Sequence, residues 1–423
     1  MDTEIFVEIE SNVRSYCRTF PAVFQRAKGA KIYDEQGNEY IDFFAGAGAL
    51  NFGHNNDYIK QRIIKYIEGD GLVHALDMYT GAKREFLTTF KNLILEPKGL
   101  DYKVQFCGPT GTNAIEAALK LARKAKHRPG IFSFMGGYHG MSLGSLAATG
   151  ERASRAAAGV PLNGITFVPF PGGFMSEGDT IDYLEAILRD PLSGIEPPAA
   201  VLVETVQAEG GVLVAPSSWL RHLRDFCDEH DILLICDEIQ VGCYRTGPFF
   251  SFERSGIVPD MVTLSKSISG YGLPMSLLLM RRDIDVWSPG EHTGTFRGNQ
   301  LAFVGATAAL ELAHSTQLPQ EVLAKARTIE EALLTAVVGI SSASDRIEVR
   351  GLGMIWGVDL SRLGQATAQQ VVAHCFELGL IVERVGRHGS VIKVIPPLTI
   401  DLETLRRGLS IIERAIEDTL ANS

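Results

Sequence analysis

The sequence predicts an α/β protein, with a mostly parallel seven-stranded sheet in a large domain and a smaller α+β domain after it. Short apolar runs alternate with helical stretches between residues 104 and 280, which is typical of parallel strands joined by crossover helices. The chain of 423 residues is too long for one simple core, so two domains are expected. The last part of the chain mixes short strands with long helices, which indicates the second domain.

The elements are predicted in chain order. Residues 5–17 form an amphipathic helix that ends near Pro21, and residues 32–42 form a hairpin about Gly37 and Asn38. The strands of the main sheet are expected at 104–107, 131–134, 164–168, 199–204, 232–236, 261–265 and 276–280. Helices are expected at 117–126, 300–335, 365–378 and 401–420. The remaining C-terminal strands are expected at 354–359 and 391–395.

These elements suggest three parts. Residues 1–55 are expected to pack with the small domain, residues 56–310 to form the large domain, and residues 311–423 to form the small α+β domain.

Composition narrows the class of function before any motif is considered. Apolar residues make up 45% of the chain and the formal net charge is -10, as in many soluble enzymes. Lysine and arginine are dispersed, so no nucleic-acid partner is expected. No apolar stretch is long enough to cross a bilayer, and the acidic start lacks the basic region of a signal peptide.

Cysteine and histidine usage adds two expectations. The chain has 6 cysteines, scattered without a Cys-x-x-Cys pair, which favours a reducing cytoplasm over a disulfide framework. Its 10 histidines show no ligand spacing on a common helix face, so no metal site is expected.

Lys266 directly follows one of the predicted buried strands. The run from Asp260 to Leu264 leads into Ser265 and Lys266, and a glycine-rich turn comes next. Burying an ammonium without a partner is costly, so Lys266 is either a surface residue of a loop or a desolvated amine. A desolvated amine has a lowered pKa and can form an imine with an aldehyde cofactor.

A second strand favours the functional interpretation. Residues 231–236 are almost continuously apolar and lead into the carboxylate of Asp237, as in strands that are covered on both faces. Ligands of open α/β sheets bind at the carboxyl ends of the strands, so Asp237 and Lys266 occupy equivalent places. A carboxylate for a pyridinium nitrogen and a lysine for an aldehyde are the basic requirements of pyridoxal phosphate chemistry.

Two further loops follow predicted strands. Gly108–Asn113 precedes a helix and could bind a phosphate through backbone N–H groups, although Thr112 or Asn113 could equally cap an ordinary helix. Tyr138 lies among glycines and could stack on a cofactor ring or simply pack in a turn. Each of these signals is weak by itself.

Two carboxylates follow the strand at 199–204. Glu204 and Glu209 are expected at the same edge of the sheet. We interpret Glu204 as a structural ion-pair partner and Glu209 as a residue that could gate a substrate-binding cation.

A competing motif occurs at residues 140–144. Gly140, Ser142 and Gly144 match the G-x-S-x-G pattern of serine hydrolases, and Asp237 and His292 follow in a compatible order. However, the hydrolase motif places its serine on the turn directly after a strand, whereas further residues separate Ser142 from the strand at 131–134. A serine hydrolase is therefore a minor alternative.

Together these segments resemble the class III (ornithine-aminotransferase-like) family of fold-type I pyridoxal phosphate enzymes. The resemblance extends from Ile32 to Leu398, and its most specific segments are Asp237–Gly242, Ser265-Lys266 and Gly294–Phe296. It implies a cytoplasmic homodimer with pyridoxal 5′-phosphate in the large domain. Pairing of dimers into tetramers is left open.

The resemblance also implies residue roles. Lys266 bonds to the cofactor and moves the proton, and Asp237 keeps the pyridine nitrogen protonated. Tyr138 stacks on one face of the ring and Ile239 packs on the other. The remaining contacts are Gln240 to the ring hydroxyl, Gly111 and Thr112 to the phosphate, and Thr295 to the phosphate from the partner subunit.

Within the family, the chain resembles the subgroup that transfers the amino group of L-glutamate to L-aspartate β-semialdehyde. The products are L-2,4-diaminobutyrate and 2-oxoglutarate, formed by a ping-pong reaction. Enzymes of this subgroup feed ectoine, siderophore and peptide-antibiotic pathways, and which pathway the product of this chain enters is left open. The segments that carry this resemblance are Phe43–Asn51, Gly108–Asn113, Leu264–Pro274 and Thr293–Asn299.

Two departures from the wider family concern substrate recognition. Lys393 stands where most members have an arginine three residues before a Pro-Pro pair, and lysine cannot grip a carboxylate bidentately. Arg297 stands where many members have a glycine. It could supply that grip or form an ion pair at a dimer interface. We expect Lys393 to pair with Glu209, which lies where relatives carry the acid that pairs with the arginine.

Other functions stay open at this level. The same cofactor could support an amino-mutase, a decarboxylase or an ω-amino acid:pyruvate aminotransferase. A regulatory module that only senses amines could also keep the fold, although an intact lysine, aspartate and phosphate loop argue against it.

Overall fold

The computed structural model describes residues 3–173, 180–340, 344–364 and 366–421. Its α-helices are Glu4–Ile9 (α1), Tyr16–Thr19 (α2), Ala45–Gly48 (α3), Asp57–Glu68 (α4), Gly81–Phe90 (α5), Gly111–Lys126 (α6), Leu143–Ala148 (α7), Arg152–Ala156 (α8), Thr180–Arg189 (α9), Ser217–Glu229 (α10), Gln300–Ser315 (α11), Leu318–Gly339 (α12), Thr367–Glu377 (α13) and Leu402–Ala421 (α14).

Its strands are Phe24–Lys28 (β1), Lys31–Asp34 (β2), Glu39–Asp42 (β3), Tyr102–Phe106 (β4), Ile131–Phe134 (β5), Ile165–Val168 (β6), Ala200–Val203 (β7), Val206–Gln207 (β8), Leu213–Val214 (β9), Leu233–Asp237 (β10), Met261–Leu264 (β11), Leu277–Arg281 (β12), Glu348–Leu352 (β13), Ile355–Asp359 (β14), Leu380–Ile381 (β15), Glu383–Val385 (β16) and Val391–Val394 (β17).

The main sheet is mostly parallel, as predicted. It contains 7 strands in the order β4-β12-β11-β10-β7-β5-β6. β12 runs antiparallel to both of its neighbours, and every other pair is parallel. Helices α6 to α10 lie in the chain between β4 and β10, which confirms the predicted alternation of strands and helices.

The inner strands of this sheet are covered on both faces. Every residue of β5, β7, β10 and β11 is buried. Alternate side chains point to opposite faces. One set packs against α6, and the other packs with Trp219 and its neighbours in α10. Since both faces are apolar, the strand ends are where this sheet can present polar side chains to a ligand.

Three smaller sheets complete the described structure. β1, β2 and β3 form a sheet with β15, which runs parallel to β3, and the predicted hairpin at 32–42 is present as β2 and β3. β13, β14, β17 and β16 form an antiparallel sheet, and β8 pairs with β9. The division of the chain after residues 55 and 310 stays a prediction.

Two predicted helices are each divided into two. The helix expected at 5–17 is α1 and α2, because Ser11 accepts the N–H of Val13 at 3.4 Å between them. Such local bonds compete with helical ones. The helix expected at 300–335 is α11 and α12. They are separated at Gln317, whose φ of 53° ends the helical path, and Pro319 lies in the first turn of α12.

Two other predicted helices differ at their starts. α6 begins at Gly111 rather than at 117, with Thr110 as its capping residue. The predicted phosphate loop therefore supplies the first turn of α6. Gln365, where a helix was expected to begin, lies outside the described residues, and α13 starts at Thr367. None of the helices in the described ranges is long and apolar enough to span a membrane.

Candidate active site

The ends of three neighbouring strands bring polar side chains together at one edge of the main sheet. Glu204 follows β7, Asp237 ends β10, and Lys266 follows β11. A cavity of about 230 Å³ opens at this edge. Its walls include most of the predicted site residues, namely Gly111, Thr112, Tyr138, Glu209, Asp237, Ile239, Gln240 and Lys266.

Lys266 reaches the cavity from a strained turn. Its φ of 51° lies in the left-handed region, which non-glycine residues rarely occupy and which is common at functional sites. The flanking hydroxyls anchor the turn. Ser265 donates to the carbonyl of Met275 at 2.8 Å, and Ser267 donates to that of Gly48 at 2.7 Å.

The Lys266 amine lies in an environment that favours its neutral form. Burial lowers the pKa of Lys266, although the carboxylate of Glu209 opposes this effect. The charge of Lys393 lowers the pKa further. An amine with a lowered pKa is more often unprotonated at neutral pH, and so can act as a nucleophile or a base.

Asp237 is fixed by hydrogen bonds to both of its oxygens. Oδ2 lies 2.7 Å from Nδ1 of His139, while Oδ1 accepts the N–H of Ile239 at 3.1 Å and the hydroxyl of Thr263 at 3.2 Å. Burial alone would lower the pKa of His139, but the hydrogen bond and charge of Asp237 outweigh it and raise that pKa. The pair therefore presents a rigid carboxylate at the cavity.

The first turn of α6 offers free donors. The N–H groups of Gly111 and Thr112 donate to no other residue in the described ranges. The side chain of Asn113 accepts the N–H of Thr110 at 3.2 Å. A Cβ at Gly111 would lie 2.9 Å from Cδ1 of Ile239, so a larger residue at this position would collide with Ile239. Free N–H groups at a helix start favour an anion.

Glu204 does not have the role expected from the sequence. It forms no ion pair with the described residues, and instead its Oε1 accepts the N–H of Tyr138 at 2.8 Å. Burial raises the pKa of Glu204 to about 7, although the neighbouring His139 opposes this shift. The carboxyl group therefore positions the loop that carries the aromatic wall of the cavity.

Lys393 lies fully buried behind the cavity wall. Its Nζ is 2.5 Å from Oε1 of Glu209, 2.8 Å from Oε1 of Glu383 and 3.0 Å from Oε1 of Gln240. Burial alone would lower the pKa of Lys393, but the two carboxylates outweigh it and raise that pKa. The predicted pair with Glu209 is present, and Glu383 is a second acid that sequence reasoning missed.

Comparison with known proteins assigns the chain to a family. Residues 13–416 match the family model described as Aminotransferase class-III.

The chain belongs to the class III aminotransferases.

Two similar relatives span nearly the whole chain. A diaminobutyrate–2-oxoglutarate transaminase of Streptomyces avermitilis is 52% identical over 422 residues, which cover 99% of this chain and 98% of that protein. One of Bordetella parapertussis is 51% identical and covers 100% of this chain and 96% of its own length. Among solved structures, ornithine aminotransferase of Toxoplasma gondii has a TM-score of 0.85 at 26% identity, covering 99% and 94% of the two chains.

The cavity fits pyridoxal phosphate, the cofactor of class III aminotransferases. Free N–H groups of Gly111 and Thr112 suit a phosphate, and the buried carboxylate of Asp237 suits a ring nitrogen. Tyr138 and Ile239 supply aromatic and apolar walls. The amine of Lys266 suits an aldehyde.

Two predicted site residues lie elsewhere in this aminotransferase. Thr295 and Arg297 line a separate cavity of about 260 Å³ with Pro109 and Phe296. Arg297 donates to the carbonyl of His292, and its Nε is buried without a partner in the described structure. Neither residue lines the cavity that contains Lys266.

A still larger cavity lies away from Lys266 and Asp237, although Arg297 also lines it. It has a volume of about 950 Å³ and includes Phe90, Phe106 and Trp287 in its lining. Neither Lys266 nor Asp237 contributes to it. We therefore assign the active site to the smaller cavity on its chemistry rather than on size.

The hydrolase alternative lacks its base. The Ser142 hydroxyl donates to the carboxylate of Glu116 at 2.5 Å and not to a histidine. Asp237 pairs with His139 instead of supporting a catalytic serine. His292 stacks on Trp287, with ring centroids 5.6 Å apart. Within the part of the chain that the structure describes, Ser142 thus has no catalytic triad.

Sequence reasoning missed three residues around the site. His139 directly follows Tyr138, a predicted site residue, and the Tyr-His pair between Gly137 and Gly140 was the available signal. Glu383 is a lone acid after an apolar run, which could have suggested a buried pair. Tyr16 had no signal. Tyr16 is 54% exposed, but partial burial and the charges of Glu383 and Glu209 raise its pKa to about 12, so its hydroxyl lies near the same acidic cluster.

Proposed function

We propose that this class III aminotransferase transfers the amino group of L-glutamate to L-aspartate β-semialdehyde, giving L-2,4-diaminobutyrate and 2-oxoglutarate. The observation that carries this proposal is identity above one half, over nearly the full length, with enzymes named for diaminobutyrate and 2-oxoglutarate. The arrangement of Lys266, Asp237 and the free N–H groups of α6 supplies the chemistry that such a transfer needs.

When bound, pyridoxal phosphate supplies an aldehyde that takes up an amino group and a ring that draws electrons from the bonds of Cα. Lys266 acts as the base that removes the proton from Cα of the amino donor, and it returns a proton in the second half of the reaction. Its lowered pKa serves this role, since the neutral amine is the form that accepts a proton.

Asp237 and His139 act together on the ring nitrogen. The carboxylate of Asp237 would accept a hydrogen bond from the protonated ring nitrogen and so keep it protonated, and His139 holds the carboxylate in place at 2.7 Å. Tyr138 and Ile239, which line the cavity, would confine the ring between them, and Gln240 would meet the ring hydroxyl. Asp237 and His139 are both buried. Their electrostatic effect on the ring nitrogen is larger there than it would be in water.

Lys393 is not free to bind a substrate carboxylate. An ammonium has three N–H donors, and the three acceptor oxygens of Glu209, Glu383 and Gln240 lie within 3.0 Å of Nζ. A substrate carboxylate would have to displace one of them. A different cation must therefore grip the substrate, and our candidate is Arg297, whose Nε is one of several arginine Nε atoms without a partner among the described residues.

The site is completed by a second copy of the chain. In its own chain Thr295 lies away from Lys266, in the separate cavity described above. Large apolar side chains that line this cavity are exposed, namely Val73 at 64% and Phe296 at 70%. An exposed apolar patch of this kind favours a protein partner. A homodimer places Thr295 and Arg297 at the partner's cofactor site.

A product assay tests the proposed function. The purified enzyme is given glutamate and aspartate β-semialdehyde, and the formation of diaminobutyrate and 2-oxoglutarate is followed by chromatography. Pyruvate as acceptor and ornithine as donor serve as comparisons. We expect kcat/KM to favour the glutamate and semialdehyde pair by about tenfold or more, a difference of about 1.4 kcal/mol in the transition state. A preference for pyruvate or ornithine would contradict the proposal.

A further inference from the structure

The segment 140–144, which matches a hydrolase motif, is built against the first turn of α6. The Ser142 hydroxyl donates to Oε1 of Glu116 at 2.5 Å, and its oxygen lies 2.7 Å from Oγ1 of Thr112. The N–H groups of Gly144 and Ser145 donate to the same Glu116 oxygen at 2.9 and 3.1 Å. Thr112 and Glu116 are four residues apart on one face of α6, so this segment holds both ends of the first turn.

Close packing explains the two glycines of this motif. A Cβ on Gly140 would lie 2.5 Å from Oγ1 of Thr112, and a Cβ on Gly144 would overlap the carboxylate of Glu116. Gly140 also has a φ of 129°, which disfavours any side chain. The glycine spacing therefore reflects contact with α6 and not a nucleophile turn.

The acceptors fix the direction of the hydroxyl protons. A carboxylate only accepts hydrogen bonds, so the proton of Ser142 points to Glu116. The hydroxyl of Ser145 donates to the carbonyl of Ser142 at 3.0 Å. Both serine oxygens are then free to accept, and both lie within hydrogen-bond reach of Thr112. The Thr112 hydroxyl donates to this pair, and its oxygen also accepts the N–H of Ser142 at 3.4 Å. The N–H groups of Gly111 and Thr112 donate to no described residue.

We propose that Ser142 and Glu116 are positioning residues for the cofactor phosphate. They hold the side chain of Thr112, and through it they keep the N–H groups of Gly111 and Thr112 directed at the phosphate. This inference rests on the proposed cofactor role of the α6 start. Loss of this arrangement should weaken binding only of a cofactor that carries a phosphate, because a cofactor without one does not contact these N–H groups.

The test compares pyridoxal phosphate with pyridoxal, which lacks the phosphate. Apoprotein is titrated with each, and the dissociation constants are measured by absorbance. For Ser142→Ala we expect pyridoxal phosphate to bind about 3- to 10-fold more weakly, the range for one lost hydrogen bond. Binding of pyridoxal should change by less than about twofold. Ser142→Thr keeps the hydroxyl, and this variant should bind pyridoxal phosphate as the wild-type protein does.

Two further variants sharpen the result. Ser410→Ala removes an exposed helical hydroxyl in α14 and should leave both dissociation constants unchanged. Thr112→Val keeps the shape of Thr112 and should produce the same selective loss, without adding to that of Ser142→Ala. Inorganic phosphate should raise the Tm of the apoprotein. This increase in Tm should be smaller for Ser142→Ala than for the wild-type protein.

The outcomes separate this inference from the proposed function. Equal weakening of pyridoxal and pyridoxal phosphate by Ser142→Ala would show a general structural role and overturn the inference. Unchanged binding of both would overturn it as well. Failure of the wild-type enzyme to form diaminobutyrate would contradict the proposed substrates, whereas the binding comparison does not depend on which substrates are used.

Discussion

Glu383 and Lys393 face each other across the strands β16 and β17, with a carboxylate oxygen 2.8 Å from the buried ammonium. This contact, together with Glu209 at 2.5 Å, gives Lys393 two acidic partners rather than one. Burial raises the pKa of Glu383, although the charge of Lys393 opposes this shift. We therefore propose that Lys393 is a structural cation behind the cavity wall and that another residue recognises the substrate carboxylate.

Glu383→Gln should destabilise the protein by about 1–3 kcal/mol, the range for a hydrogen bond to a buried charge. The loss is limited because Glu209 and Gln240 still contact Lys393. Urea unfolding measures it, and Glu348→Gln, at an exposed carboxylate of β13, is the matched control. A Glu383→Gln variant as stable as the control would show that the second carboxylate is dispensable.

Arg297→Ala should raise KM for glutamate, with a transition-state loss of about 2–4 kcal/mol if a charged carboxylate contact is removed. Lys393→Ala should change glutamate kinetics less, because its ammonium is already paired with the carboxylates of Glu209 and Glu383. Steady-state kinetics with varied glutamate compares the two variants. The opposite ranking would place the carboxylate grip on Lys393.

Lys266→Ala should abolish turnover while the fold stays intact, since both half-reactions lose their base. Product formation measures activity, and circular dichroism verifies folding. Lys91→Ala removes a lysine whose side chain is 63% exposed and serves as the control. More than trace activity in Lys266→Ala would contradict the assigned role.

Asp237→Ala should lower kcat by about 10²–10⁴-fold, the range for loss of a group that controls proton transfer. It should also weaken cofactor retention. His139→Ala should reduce kcat less, by about 10- to 100-fold, since it removes one hydrogen bond to a charged group. The two effects should not add in the double variant, because His139 acts through Asp237. Additive losses would show that His139 acts independently.

Thr295→Ala should weaken phosphate binding, and the defect should be corrected in a mixed dimer. Subunits carrying Thr295→Ala and subunits carrying Lys266→Ala are mixed and allowed to exchange. Half of the sites in a mixed dimer then combine Lys266 of one chain with Thr295 of the other. Activity should recover after exchange. No recovery would place Thr295 outside the partner's site.

The main features of the fold could be predicted from local patterns. The strands of the main sheet are short apolar runs, and these runs indicate where each strand lies along the chain. Lys266 and Asp237 could be predicted because each follows such a run, at the strand end where ligands of α/β sheets bind. Helix limits were less predictable, since Ser11 and Gln317 interrupt helices through local conformations that periodicity does not reveal.

The partners of the site residues depended on the tertiary structure. Asp237 meets His139 from 98 residues away, and Lys393 meets Glu209 from 184 residues away. Ser142 stood in a hydrolase-like pattern, yet its neighbours are Glu116 and Thr112 of α6. The sequence by itself determined which residues end buried strands, because burial is encoded in each apolar run. Which side chains then meet depends on how separate elements pack, so the ion pairs and hydrogen bonds were decided only by the folded chain.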